Sequence, residues 1–176
     1  LVEVGAKNFI RIGTCGMMQT WLPNPGILII TGAVRGDGTT REYFPPEFPA
    51  LADFYMVEKM LKSAEELSIE VHTGYEWSHD AFYAGSTLSK LDILEIEKPW
   101  IDAGVLIASQ EASTVFTLST ARKCRCSLAN KKRRILQHPE KGATPDQMVK
   151  AISDATKISL ETAVKLYTLD HGEKQH

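Results

Sequence analysis

Residues 26–34 read GILIITGAV and residues 8–13 read NFIRIG. Both runs are short, apolar and β-branched, and both are bounded by glycine or proline. Buried strands of an α/β sheet read this way, because covering both faces removes the alternation that a half-exposed strand shows. The run at 8–13 leads straight into Gly13-Thr14-Cys15-Gly16, which is expected to be a tight turn at the strand's carboxyl end. With Ile10 and Ile12 facing one way at a period of two, Arg11 faces the other, and a charge there needs a partner.

Outward from these runs, residues 35–49 (RGDGTTREYFPPEFP) carry too much glycine and proline for a regular element and read as a long loop. Arg35-Gly36-Asp37 within it reads as a plain turn rather than an adhesion signal. From Glu47, the positions Leu51, Phe54, Val57, Leu61, Ala64 and Leu67 recur at helical steps and predict a helix with one buried stripe. Residues 69–77 (IEVHTGYEW) alternate Ile69, Val71, Thr73 and Tyr75 as a strand, and 104–109 (GVLIAS) form another. Residues 111–123 place Ala112, Val115, Phe116 and Ser119 on one face of a helix. Thr144-Pro145-Asp146-Gln147 combines a capping threonine, proline at the first helical position and glutamine at the third, so it starts a helix expected to run to about Tyr167. Strands alternating with helices predict an α/β fold with a largely parallel sheet.

The chain has 176 residues, 43% hydrophobic and 24% charged, which suits one globular domain over 1–176 and excludes a fibrous or disordered chain. A net charge of -2 gives no general attraction to nucleic acid or anionic lipid. The cationic cluster NKKRR at 130–134 reads as a solvated surface or flexible loop. Cys15, Cys124 and Cys126 are too few for a disulfide framework. Cys124-Arg125-Cys126 lacks a second ligand pair at zinc spacing, so a reducing cytoplasm is expected and a metal is not. No run has the length of a membrane span and nothing at the start reads as a cleavable signal. The chain begins close to a strand without methionine and is expected to be N-terminally incomplete.

Three stretches could carry chemistry. Arg11 with the Gly13-Thr14 backbone suits an oxyanion such as phosphate, since glycine lets the backbone approach, amides and a hydroxyl donate, and the guanidinium is a planar fork; a strand-to-loop turn is the alternative. Residues 78–85 (SHDAFYAG) put Phe82 and Tyr83 at a strand's end, either to face a flat ligand or as a core pair with Asp80 capping a turn. His79 there reads as solvated. Glu111, at the start of a helix, could cap the dipole or accept two hydrogen bonds from a vicinal diol. All three fall where open α/β sheets bind ligands, outside strand carboxyl ends.

The motifs IRIGTCG (10–16), TGAVRGDGTTREYFPPEFPALADF (31–54), SHDAFY (78–83) and QEASTVFTLSTA (110–121), in this order and spacing, resemble the nucleoside phosphorylase superfamily in its uridine phosphorylase-like branch. The resemblance covers residues 2–131. It implies a three-layer α/β/α fold with a central mixed, largely parallel sheet. It also implies reversible phosphorolysis, in which phosphate attacks C1′ of a nucleoside and gives ribose 1-phosphate and free base, with uridine favoured. Carried over by motif, Arg11, Gly13 and Thr14 bind phosphate; Cys15, Gly16 and Phe82 line the base; and Gln110 and Glu111 lie along the ribose, Arg11 and Glu111 being catalytic. No metal or organic cofactor is implied, inorganic phosphate being a substrate. Nucleic acid and membrane are not expected as partners, and a homo-oligomer is, either a dimer or dimers arranged into a hexamer.

The pattern departs in places. The family's N-terminal part, with a Gly-Asp-Pro motif and a histidine donated across a dimer interface, is absent. Ser86 and Leu88 stand where pyrimidine-specific members carry glutamine and arginine, and Asn130-Lys131 is similar to the uridine branch's Asn-Arg. The segment at 122–134 is shorter than the strand and loop expected there. The alternatives are a purine nucleoside phosphorylase, a nucleosidase of the same fold, and an inert nucleoside-binding or assembly protein.

Overall fold

The computed structural model describes residues 1–84, 86, 89–135 and 143–172, without the side chains of 128–135. After a short 3-10 turn at Val2–Val4 come β1 (Asn8–Met17), β2 (Ile27–Arg35), α1 (Thr39–Tyr43), α2 (Phe54–Glu66), β3 (Val71–Ser78), α3 (Ile93–Asp102), β4 (Ile107–Ser109), α4 (Ala112–Ala121), β5 (Arg125–Ile135) and α5 (Pro145–His171).

β2 decides the architecture. Ile27 and Ile29 pack on one face against Met56 and Met60 of α2 and Ala155, Ile158 and Leu166 of α5. Leu28 and Ile30 pack on the other face with Leu106, Ile107 and, from α4, Ala112 and Phe116. A strand covered on both sides is uniformly apolar, and the result is a three-layer α/β/α arrangement. The sheet is mixed and mostly parallel: β2 with β3, β3 with β4 and β1 with β5 run parallel, while β1 with β4 and β2 with β5 run antiparallel. It curls until it closes, in the order β1-β4-β3-β2-β5. α3 packs through Ile93, Trp100 and Ile101 beside Trp77 of β3 and Ala108 of β4.

Several expectations are corrected. Gly13-Thr14-Cys15-Gly16 is no turn: β1 runs through it to Met17 in parallel register with β5, with an irregularity only between Cys15 and Gly16. The long ladder outweighs the weak strand preference of glycine. The stretch at 130–134 is likewise strand rather than loop. The loop at 35–49 contains the one-turn helix α1, held by Arg35, whose guanidinium donates to the carbonyls of Thr40, Phe44, Pro45 and Phe48. In α2, which begins at the Asp53 cap rather than near Glu47, the buried face is Met56, Met60, Ser63 and Ala64, whereas Phe54 and Leu61 are exposed. In β3, Thr73 and Tyr75 face solvent, and Glu76, Trp77 and Ser78 are buried. The capping box at Thr144 and Gln147 is present, and α5 extends past Tyr167 to His171. α3, which carries Pro99 within its continuous helix, has no counterpart in the sequence reading. Leu88 lies outside the described residues.

Candidate active site

The strand directions determine where the site sits. β2, β3 and β4 are parallel, so their carboxyl ends lie together, with Ser78 paired to Ser109 and His79 N donating to the Ser109 carbonyl at 3.1 Å. β1 enters antiparallel, pairing Gly16 with Ala108 and Met17 with Ile107. Its earlier residues therefore run on past the end of β4. Arg11 is in the body of β1, not at its carboxyl end, and reaches the group from the side.

There Arg11 Nη2 meets Glu111 Oε1 at 2.6 Å, with the two side chains 26% and 42% exposed. Glu111 is the residue before α4, yet its side chain makes no capping bond to that helix. Its Oε2 accepts instead from Ser109 Oγ and from Gln110 N, each at 3.2 Å. The Arg11 guanidinium lies across Gly13, where a Cβ would stand 1.9 Å from Arg11 Nη1. Glycine at this position gives the guanidinium room to lie flat on the strand.

Behind this pair stands Glu76 of β3, fully buried, which sequence reasoning missed. Its Oε1 accepts from Ser78 Oγ at 3.1 Å, from Ala112 N at 3.2 Å and, by a short bond, from Ser109 Oγ. Burial pushes its carboxyl above the usual range, against the opposing effect of those donors and of Arg11. The available signal was an acidic residue inside a strand, the same kind of signal that singled out Arg11.

The loop after β2 closes one side. Asp37 accepts from Ser113 Oγ at 2.6 Å and from Thr40 N at 2.7 Å. Burial raises its carboxyl, but these bonds outweigh that and leave it below the ordinary value. Asp80 accepts from Gly38 N at 2.9 Å, a bond that ties the turn after β3 to the loop after β2 rather than capping its own turn. Phe82 and Tyr83 are not a core pair: they stand edge to face at 5.0 Å, 66% and 68% exposed, on the turn after β3. His79 is not solvated but stacks on Trp77 at 4.3 Å, and burial lowers its pKa.

Of the residues singled out from sequence, Arg11, Gly13, Gln110 and Glu111 come together. Thr14 and Gly16 follow on β1, and Phe82 lies exposed on the turn after β3. Cys15 packs its thiol into the core with Met17, Leu106 and Phe116, so this position can offer a ligand only its backbone. None of the three cysteines is in a disulfide. Among the described residues no group of three or more His, Cys, Asp or Glu could hold a metal ion, and no helix is long and apolar enough to cross a membrane. A forked cation in hydrogen-bond contact with a half-exposed carboxylate can present donors to an oxyanion and acceptors to a neighbouring diol.

Residues 1–130 match the model of the phosphorylase superfamily. A guanosine phosphorylase of Halorubrum lacusprofundi is 30% identical over 167 residues, covering 94% of this chain and 65% of that protein. A uridine phosphorylase of Treponema pallidum is 28% identical, over 97% of this chain and 67% of that protein. A solved structure described as the P knowlesi homolog of P falciparum PNP superposes with a TM-score of 0.77 at 30% identity, over 94% of this chain and 64% of that one. The chain thus spans about two thirds of the length of these relatives.

Proposed function

The chain belongs to the phosphorylase superfamily, and on that premise we propose that it performs reversible phosphorolysis of a nucleoside, with uridine favoured, as a pentosyltransferase. The observation that carries this reading is the 2.6 Å contact between Arg11 and Glu111. In-line attack needs the phosphate and the ribose side by side, and a forked cation touching a half-exposed carboxylate supports a reading in which the first takes the phosphate and the second the ribose diol.

In this reading Arg11, with the backbone of Gly13 and the hydroxyl of Thr14, holds phosphate. Glu111 and Gln110 grip the ribose, and Gly16, the Cys15 backbone and Phe82 line the base. A phosphate oxygen bonds to C1′ as the C1′–N bond breaks, its electron pair leaving with the base. The positive charge that builds on the sugar is favoured by the phosphate on one side and the Glu111 carboxylate on the other. Holding the two substrates in register can lower the barrier by roughly 7–11 kcal/mol. The reaction needs no cofactor, phosphate being consumed as substrate. The setting is the cytoplasm, in keeping with three cysteines outside any disulfide, and the working form is a homo-oligomer with neither nucleic acid nor membrane as partner. The guanosine phosphorylase relative at 30% identity favours a purine nucleoside as the second reading.

The test is release of free base from uridine, guanosine, inosine and adenosine, with and without inorganic phosphate. Release that depends on phosphate and is fastest with uridine is the expected result; guanosine ahead of uridine selects the second reading, and release without phosphate makes the chain a nucleosidase. Gly13→Ala forces the guanidinium of Arg11 off the strand and is expected to lower phosphate-dependent release about a hundredfold, since a displacement of about 1 Å costs on that order. Titration with inorganic phosphate, read by calorimetry, shows whether the loss lies in binding.

A further inference from the structure

α5 carries a second apolar stripe that its own fold does not cover. Its inner face packs through Ala155, Ile158 and Leu166 on α2 and β2. On the other side Val149, Ile152, Leu160, Val164 and Tyr167 are each 45–67% exposed. Thr156 fills the gap between Ile152 and Leu160, and its hydroxyl is satisfied within the helix by donating to the Ile152 carbonyl at 2.8 Å. Steps of three and four keep these six on one side of a helix, along about 27 Å of its length. The cations of α5 are drawn off this band: Lys150 and Lys157 pair with the buried Asp154, and Lys165 pairs with Glu66 of α2 at 2.6 Å. Apolar residues scattered singly on a surface need no partner, but a continuous stripe with charges at its edge marks an interaction surface.

The order of residues along the stripe says what fits it. The steps from Val149 to Tyr167 are 3, 4, 4, 4 and 3, which read the same in both directions. An antiparallel two-fold pairing of two α5 helices centred at Ile158 therefore sets Val149 against Tyr167 of the partner subunit, Ile152 against Val164 of the partner subunit and Thr156 against Leu160 of the partner subunit. Each contact is made twice, as a two-fold interface requires. Such a pairing also brings the same flank of both helices together. That flank carries Lys157, 58% exposed, and Glu161, 50% exposed, so Lys157 of one copy stands beside Glu161 of the partner subunit. A parallel pairing would turn this flank toward the opposite one, where Ser159 and Leu166 are buried, and would give neither charge a partner across the contact. The two stripes together remove on the order of 1,000 Å² from water, the lower limit for a specific interface.

We propose that the outward face of α5 is a two-fold contact between two copies of this chain, the helices antiparallel, with Leu160 near its centre and Val164 at its rim. It rests on the homo-oligomer reading above and gives that oligomer one of its faces; the Arg11–Glu111 site takes no part in it. Truncating a rim residue to alanine costs little. A carboxylate placed near the centre is buried without a partner, and the contact does not tolerate it.

Sedimentation velocity of the intact chain over a concentration series tests this. The wild type is expected to associate, and Leu160→Glu to raise the dissociation constant of the contact roughly a hundredfold, the size of effect found at an interface centre. Lys157→Glu is expected to weaken association several-fold, and Lys157→Glu combined with Glu161→Lys to restore it. All three positions are exposed in the single chain, and an unchanged circular dichroism spectrum shows that each variant folds. For the direction of pairing, Val149→Cys mixed with Tyr167→Cys is expected to cross-link through a short bis-maleimide, and neither variant alone beyond the level of the wild type. Association that Leu160→Glu leaves unchanged, a double exchange that associates no better than Lys157→Glu, or cross-linking of either cysteine variant with itself overturns the inference while the homo-oligomer reading stands. A wild type that stays monomeric throughout the series removes both.

Discussion

Arg11→Ala is expected to lower phosphate-dependent base release by about two to three orders of magnitude, the range seen when one preorganised donor to a developing charge is removed, roughly 2.7–4 kcal/mol. Arg11 is a planar fork lying flat over Gly13, so Arg11→Lys, which keeps the charge and loses the fork, is expected to recover only part of the loss. Folding is expected to be nearly unaffected, because the Arg11–Glu111 pair is partly open to solvent and such pairs contribute little to stability. Thermal unfolding alongside the base-release assay checks both points. Wild-type turnover with an unchanged rate in Arg11→Ala would exclude Arg11 as the phosphate ligand.

Phe116→Ala is expected to destabilise the chain by about 3–5 kcal/mol and to lower its melting temperature by about 10 °C. Phe116 is fully buried, in one cluster with Leu28, Ile30, Ile107 and Cys126. It lies two turns or less into α4, whose first residues include Ala112, a donor to Glu76, and which begins right after Glu111. Loosening this helix shifts Glu111 as well, so base release is expected to fall below the level explained by the unfolded fraction. Val164→Ala, on the exposed face of α5, is the control and is expected to stay within about 0.5 kcal/mol of wild type. Equal losses from the two substitutions would contradict the placement of the core.

Sequence reading succeeded where the physics is short-range. The apolar run of β2, the Ala112 and Phe116 face of α4 and the Thr144-Pro145-Asp146-Gln147 start of α5 each carry their own instruction in adjacent residues. It failed where neighbours distant in the chain decide. Phe54 and Leu61 fit a helical stripe as well as Met56 and Met60 do, and only the packing of α5 against α2 selects the methionines. Gly13-Thr14-Cys15-Gly16 looks like a turn until β5, more than a hundred residues later, pairs along it.

The candidate site divides the same way. That Arg11 is a charge in need of a partner, and that Glu111 stands at a strand–helix junction, follow from side-chain alternation and helix periodicity. That these two residues meet at 2.6 Å, with Glu76 buried behind them, follows only from β1 running antiparallel to β4 and past its end. Propensity and capping act over a few residues and are written locally. Strand direction and burial depend on which remote segment occupies each side of a strand, so only the closed fold determines them.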